Sequence, residues 1–339
     1  MTTFTKSAND LGRSLATFFN EHLPVRIGAS RHTVLAYRDA WKLFLRFSAR
    51  HTGRSIAELG LTDLDVETAL AFLDGLERDR HNAVITRNHR RVALQSFFRF
   101  LPSIAPEYLT QCHRLLTIPV KRAPRRTIDY LERAEMEALL AQVDRRTQRG
   151  RRDYALLAFL YNSGARVQET TDLQVAALQL DRPYQVRLFG KGRKERVCPL
   201  WPETAILLRA LLAERGVDQD ESAPVFVNTF GKPLTRYGVR HIVSRYVAAA
   251  VKIRPSLARK RVHPHTLRHS CAVHLLQAGV DLNLIRSWLG HVNLETTQRY
   301  AEIDLAQKRR ALDAVTSLAS PHRKAPRHSE SILTWLERL

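Results

Sequence analysis

The stretch Thr117-Ile-Pro-Val-Lys-Arg-Ala-Pro-Arg-Arg-Thr127 most constrains what this chain can fold into. Two prolines and four cations in so short a span, with little apolar periodicity, read as an extended basic linker. Hydrophobic cores are therefore expected on either side of it, and 339 residues suffice for two ordinary domains. The expected division is a helical domain over 1–110, the linker over 111–127, a second domain over 128–312, and a flexible tail over 313–339.

Before the break, residues 8–105 read as helical throughout. Leu11, Leu15, Phe18 and Phe19 recur at helical spacing. Ser30 suits an N-cap, with Val34, Tyr37, Trp41, Phe44, Leu45 and Phe47 as the stripe behind it. A third helix opens at Thr62 or Asp63 and carries Val66, Leu70, Leu73 and Leu76. A fourth carries Ile85, Val92, Leu94, Phe97 and Phe98 and ends near Pro102. Arg31, Arg38, Arg87, His89, Arg90 and Arg91 fall between the stripes and are expected on outward faces, where a helical bundle could lie against a phosphate backbone.

After the break, helices are expected over Glu132–Ala141 and Arg152–Tyr161, the second stopped by Asn162-Ser163-Gly164. Arg166 starts the next, with Glu169 three residues on and sharing its face. Tyr184–Phe189 alternates as a strand does, Gly190-Lys191-Gly192-Arg193-Lys194 turns, and Glu195–Leu200 returns, so Lys191 stands at the tip of a β-hairpin. Glu203–Arg215 is an amphipathic helix ended by Gly216. Val225–Asn228 reads as a short strand, and Thr235 caps a helix to about Val251. Thr266–Ala278 forms a helix stopped by Gly279, Asp281 caps another that ends at Gly290, and Asn293 caps the one bearing Tyr300. Ser317–Ser331 reads as flexible and leads into the amphipathic segment Ile332–Leu339.

Charge narrows the partner. The formal net charge is +21, from 54 Lys and Arg against 33 Asp and Glu, which calls for a polyanion. No apolar run is long enough to span a membrane, and the N-terminus lacks the apolar core of a signal peptide. Cys112, Cys198 and Cys271 are scattered and odd in number, pointing to a reducing compartment, the cytoplasm. Nucleic acid is the expected partner, and a ribosome- or DNA-coating protein would carry the same charge.

The chemistry gathers in His263-Pro-His265-Thr-Leu-Arg268-His269-Ser270, Leu289-Gly-His291 and Tyr300. Breaking a P–O bond needs charge stabilisation on the non-bridging oxygens, a nucleophile, and a proton for the leaving oxygen. Arg166 and Arg268 suit the first task, because a guanidinium donates two parallel hydrogen bonds and stays charged. His265 and Arg268 share a helix face and could meet one phosphate. Tyr300 could attack phosphorus, and Lys191 could deliver the proton. Taken singly, Tyr300 reads more readily as a packing tyrosine than as a nucleophile, and Lys191 as a turn lysine. His263, His265 and His269 do not make a metal site, since no Glu follows the first His and no Cys or carboxylate completes a set. Neither Ser163 nor Ser270 stands in a hydrolase elbow.

Taken jointly and in this order, Gly164-Ala-Arg166-Val-Gln-Glu169, Lys191, His265-Thr-Leu-Arg268-His-Ser, Leu289-Gly-His291 and Tyr300 resemble the tyrosine recombinase, or phage integrase, family over about residues 8–312. The resemblance implies a mainly α fold with a small β-hairpin: a helical, SAM-like core-binding domain and a catalytic domain that close as a C-shaped clamp on DNA. It implies strand exchange without metal, ATP or other cofactor. Tyr300 would form a 3′-phosphotyrosine. Arg166, Arg268 and His291 would stabilise the phosphorus centre, Lys191 would protonate the 5′ oxygen, His265 would act as general base, and Glu169 would support the arrangement. Four protomers would act on two DNA sites through a Holliday junction, with Ile332–Leu339 a candidate for exchange between neighbours.

What this implies for function is site-specific recombination in the integration, excision or transposition of a mobile element. An Xer-like resolution recombinase is the alternative, although the tail beyond 312 is longer than in compact Xer-like members. No arm-binding module is expected ahead of residue 8. A type IB topoisomerase-like nicking–closing enzyme would use the same groups, and a regulator that has kept only the fold would use none of them.

Overall fold

In the computed structural model the described residues are 9–123, 128–190 and 195–290. The chain divides into two compact units, between Arg126 and Thr127.

The first unit is built from five α-helices among the described residues: α1 (Asp10–Thr17), α2 (Arg31–Thr52), α3 (Val66–Arg78), α4 (Val84–Phe100) and α5 (Leu109–Leu116). Asn9, Ser30 and Asp65 each cap a helix by accepting a hydrogen bond from a backbone N–H three residues on, from Gly12, Thr33 and Thr68. Asp65 therefore opens α3, and not Thr62 or Asp63. The Asp63 carboxylate is instead turned back onto the Gly60 N–H (2.8 Å) and held by Arg54 (2.9 Å). Phe18, Trp41, Phe44, Phe97 and Phe98 fill the core. Their rings meet edge-on or tilted, with Trp41 and Phe97 4.6 Å apart between centroids.

The outward placement expected for the α4 arginines fails at Arg87. It is 5% exposed, paired with Glu77 at 3.5 Å, whereas Ile85 and Val92 are 47% and 42% exposed. Arg87 precedes Leu94 by seven residues, two helical turns, and so shares its inward face. Glu77, which also binds Lys121 at 2.9 Å, supplies the anion that such a position requires.

The second unit surrounds α7 (Gln148–Ser163), whose Ala155, Leu156, Leu157, Phe159 and Leu160 are all buried. Around it lie α6 (Arg133–Ala141), α8 (Val167–Thr171), α9 (Pro202–Glu214), α10 (Arg236–Ala250), α11 (Pro264–Gln277) and α12 (Leu282–Leu289). Three strands form one antiparallel sheet in the order β1 (Leu178–Gln179), β2 (Gln185–Phe189), β3 (Glu195–Pro199). β1 is too short to leave a pattern in the sequence. Val225–Asn228 is not a strand: it makes only the isolated bridge Val227–Pro233, while Val225 and Phe226 serve the core. On the sheet, Val186 pairs with Cys198 and Leu188 with Arg196, so Arg196 takes an inward position among apolar neighbours.

Candidate active site

Gly164 is where α7 stops and the site begins. Its φ of +58° is open to glycine, and a Cβ there would come within 2.6 Å of the Leu289 side chain. Asn162 fixes the same corner, accepting from the Trp201 N–H at 2.8 Å and donating to the Pro199 carbonyl at 3.4 Å.

Arg166 is the N-cap residue of α8. Its backbone N–H donates to Glu169 Oε2 (2.8 Å), and its guanidinium donates to Glu169 Oε1 (2.7 Å) and to the Gly290 carbonyl (3.1 Å). Its side chain keeps 32% exposure, so part of the fork faces solvent. Glu169 is buried. Burial pushes its carboxyl up, but hydrogen bonds and charge from Arg196, then Arg166, more than offset this and hold its pKa below the ordinary value. It is therefore an anion whose task is to orient cations.

Arg268 comes from α11, whose first turn is built from Pro264 at N1 and the His263 N–H donating to the Thr266 hydroxyl at 3.1 Å. Arg268 is 3% exposed and donates to the Gly164 and Leu289 carbonyls, both at 2.6 Å. His265, one turn earlier, is exposed at the surface. Partial desolvation, followed by the charges of Arg268, His263 and Arg166, lowers its pKa below the ordinary 6.5. The imidazole is thus neutral at physiological pH and able to accept a proton.

Ser270, from the same stretch, is structural: its hydroxyl accepts from the Leu131 N–H and donates to the Thr266 carbonyl, both at 2.8 Å. His274 pairs with the Tyr161 hydroxyl at 2.6 Å. Among the described residues no group of His, Cys, Asp or Glu has the arrangement to hold a metal ion.

Arg196 is the residue that sequence reasoning passed over. Its two terminal nitrogens bind both oxygens of Glu169 (2.9 and 2.6 Å), and its Nε donates to the Trp288 carbonyl (2.9 Å). The signal was available in the alternation of β3: Arg196 shares a face with buried Cys198, and a cation on that face needs a partner. Three guanidinium groups therefore grip three successive carbonyls where α12 ends: Arg196 on Trp288, Arg268 on Leu289 and Arg166 on Gly290. The C-terminus of a helix is electronegative, which suits all three.

Of the residues singled out from the sequence, Arg166, Glu169 and Arg268 thus meet around the end of α12, and His265 lies within reach of their charge. Lys191, His291 and Tyr300 lie outside the described residues, as do Asn293 and the segment Ile332–Leu339. Among the described residues, no helix is long and apolar enough to cross a membrane.

Comparison with known proteins gives these features a family. Residues 129–307 match the phage integrase family, and residues 16–103 match the N-terminal SAM-like domain of phage integrases. A Sinorhizobium fredii protein named as an integrase/recombinase, y4rC, is 38% identical over 99% of this chain and 100% of its own length. The tyrosine recombinase XerC of Pelobacter propionicus is 30% identical over 92% of this chain and 97% of its own. The fold is shared with the XerH site-specific recombinase bound to palindromic difH substrate in a post-cleavage complex (TM-score 0.67, 22% identity, 84% of this chain and 80% of that one). It is shared also with the Tn1549 transposon integrase in complex with transposon right end DNA (TM-score 0.67, 16% identity, 89% and 99%). Matched over more than half of its length by the family profile, and over nearly all of it by these relatives, the chain belongs to the phage integrase family, the tyrosine recombinases, enzymes that cut and rejoin DNA strands.

Proposed function

We propose that this chain is the site-specific recombinase of a mobile element, joining and exchanging two double-stranded DNA sites as a homotetramer at the nucleoid. The observation that carries the reading is the convergence of Arg166 and Arg268, 102 residues apart in sequence, on the carbonyls that immediately precede His291. Two guanidinium groups held on one short segment form a cradle for the non-bridging oxygens of a single phosphate. The domain roles follow: 1–110 grips the duplex, 111–127 links, 128–312 performs catalysis, and the tail 313–339 engages a neighbouring protomer.

In the reaction, the Tyr300 hydroxyl passes its proton to His265 and its oxygen attacks the scissile phosphorus. The bond to the 5′ oxygen breaks as Lys191 supplies that oxygen with a proton. Arg166, Arg268 and His291 hold the charge on the non-bridging oxygens. One phosphoester is exchanged for another, so the 5′-hydroxyl of the partner strand can reverse the step without a nucleotide cofactor.

The test is to incubate the full chain with fragments of the DNA flanking its gene, each nicked near the cleavage point. A covalent adduct that survives denaturant is expected with the wild type and is lost in Tyr300→Phe. An adduct that forms equally well in Tyr300→Phe removes the nucleophile assignment. Sequencing the captured DNA identifies the site. Terminal repeats at the captured site support a mobile element, whereas an adduct with no flanking fragment but with chromosomal DNA from elsewhere supports the Xer-like reading, with which the whole-length similarity to XerC agrees.

A further inference from the structure

We infer that Arg196 is a positioning residue for strand cleavage, which ties Glu169 to the end of α12 so that the Arg166 guanidinium meets the scissile phosphate in one fixed orientation. The inference rests on the proposed role of Arg166 in holding that phosphate.

Glu169 is a carboxylate with two oxygens, and Arg166 approaches both of them, by guanidinium on Oε1 and by backbone on Oε2. With only that partner, a buried carboxylate would draw Arg166 inward and claim its whole fork. Arg196 prevents this by placing a second, bidentate guanidinium on the same two oxygens, at 2.9 and 2.6 Å. The Arg196 side chain is 8% exposed and that of Arg166 32%, so the two cations divide the carboxylate unequally between the interior and the solvent side. Two cations against one anion leave a net positive charge on the cluster, available to a phosphate.

The third donor of Arg196 adds a second constraint. Its Nε holds the Trp288 carbonyl at 2.9 Å, one residue before the carbonyl held by Arg268 and two before the one held by Arg166. Gly290, which ends α12 at a φ of +63°, packs so closely that a Cβ would come within 3.0 Å of Arg196 Cδ. Arg196 thus sets the backbone from which His291 departs in sequence, as well as the carboxylate that orients Arg166. Lysine cannot take its place, because a single ammonium lacks the fork needed to reach Glu169 and Trp288 together.

The test compares single-turnover cleavage by the full chain on two nicked duplexes of the captured site: one with an ordinary scissile phosphate, one with a neutral methylphosphonate. Losing a non-bridging charge removes the need for a well-aimed Arg166. For Arg196→Gln a loss of about 100-fold is expected on the phosphate, the scale of a misplaced catalytic group. Arg196→Lys should lose about tenfold or more. Both should bind the duplex within about threefold of wild type, since Arg196 faces inward, and both losses should shrink at least tenfold on the methylphosphonate. Equal losses on the two duplexes would make Arg196 a merely structural residue and overturn the inference. Arg166→Ala on the same pair separates the two claims: if it shows no phosphate-specific loss, the reading of Arg166 is what fails. A measurement without DNA guards against misfolding. In amide exchange of the folded full chain, Arg196→Gln should lose protection at both α8 and the end of α12, and unchanged protection at both would also overturn the inference.

Discussion

The two units keep their charges in opposite ways. In the first, the interior is apolar and, among the described residues, the buried charge is Arg87, paired with Glu77 near the end of α3. In the second, among the described residues, three buried carboxylates each hold cations. Glu169 joins Arg166 and Arg196; Asp153, fully buried, binds Arg152 (2.6 Å), the Tyr246 hydroxyl (2.9 Å) and Arg245; Glu135 binds Ser256 (2.6 Å) and Lys260. A buried ion pair adds little net stability over a well-packed apolar pair, but it fixes geometry, and half of one is costly. The first unit can hold its helices with shape alone. The second must hold cations at defined angles, and carboxylates do this.

That contrast can be broken by substitution, most sharply in the two interiors. Phe97→Ala in the first unit should cost about 3–5 kcal/mol, the usual range for deleting a buried ring. Asp153→Ala in the second should cost as much, about 3–5 kcal/mol, although it removes far fewer atoms, because it strands the Arg152 guanidinium inside. Denaturant midpoints of the two variants check this, and a cost under 1 kcal/mol for Asp153→Ala would show that the network relaxes into solvent.

Next in size is Arg166→Ala. A rate loss of about 10²–10³-fold in adduct formation is expected, equivalent to about 2.7–4 kcal/mol at the transition state, with DNA binding little changed. If affinity falls in step with rate, Arg166 is a general phosphate contact.

Smaller is the effect of pH. The His265 pKa is lowered, so the imidazole stays neutral, and able to take a proton, to a pH below its ordinary 6.5. The acidic limb of the cleavage rate should therefore have its midpoint below pH 6.5 and vanish in His265→Asn. A midpoint above 6.5 that persists in that variant would exclude His265 as the base.

Smallest is Ile85→Ala. Ile85 is 47% exposed on α4, so the change should stay within about 0.5 kcal/mol, whereas an inward stripe residue would lose several times more.

Much of the local structure was legible in the sequence. Ser30, Thr235 and Asp281 cap the helices expected of them, and Gly164, Gly216 and Gly290 take the positive φ that ends a helix. These devices act within a few residues, so a short window contains their cause. One failure was a choice between neighbouring caps, and another came where the cause was distant. Asp65 rather than Thr62 or Asp63 opens α3, because Asp63 is engaged by Gly60 and Arg54. Arg87 and Ile85 exchanged the faces expected of them, because packing against α2, α3 and α5 decides which side of α4 is covered.

By itself, then, the sequence determined the helical character of the first unit, the hairpin strands, the caps and stops, and the residue types able to bind a phosphate, since propensity and periodicity are properties of neighbours along the chain. Only the tertiary structure decided that Arg166, Arg196 and Arg268 grip consecutive carbonyls of one helix end, and that Glu169 is shared between two of them. A guanidinium carries no record in sequence of which carbonyl or carboxylate it will meet. That is settled when packing removes water and each buried donor must find an acceptor.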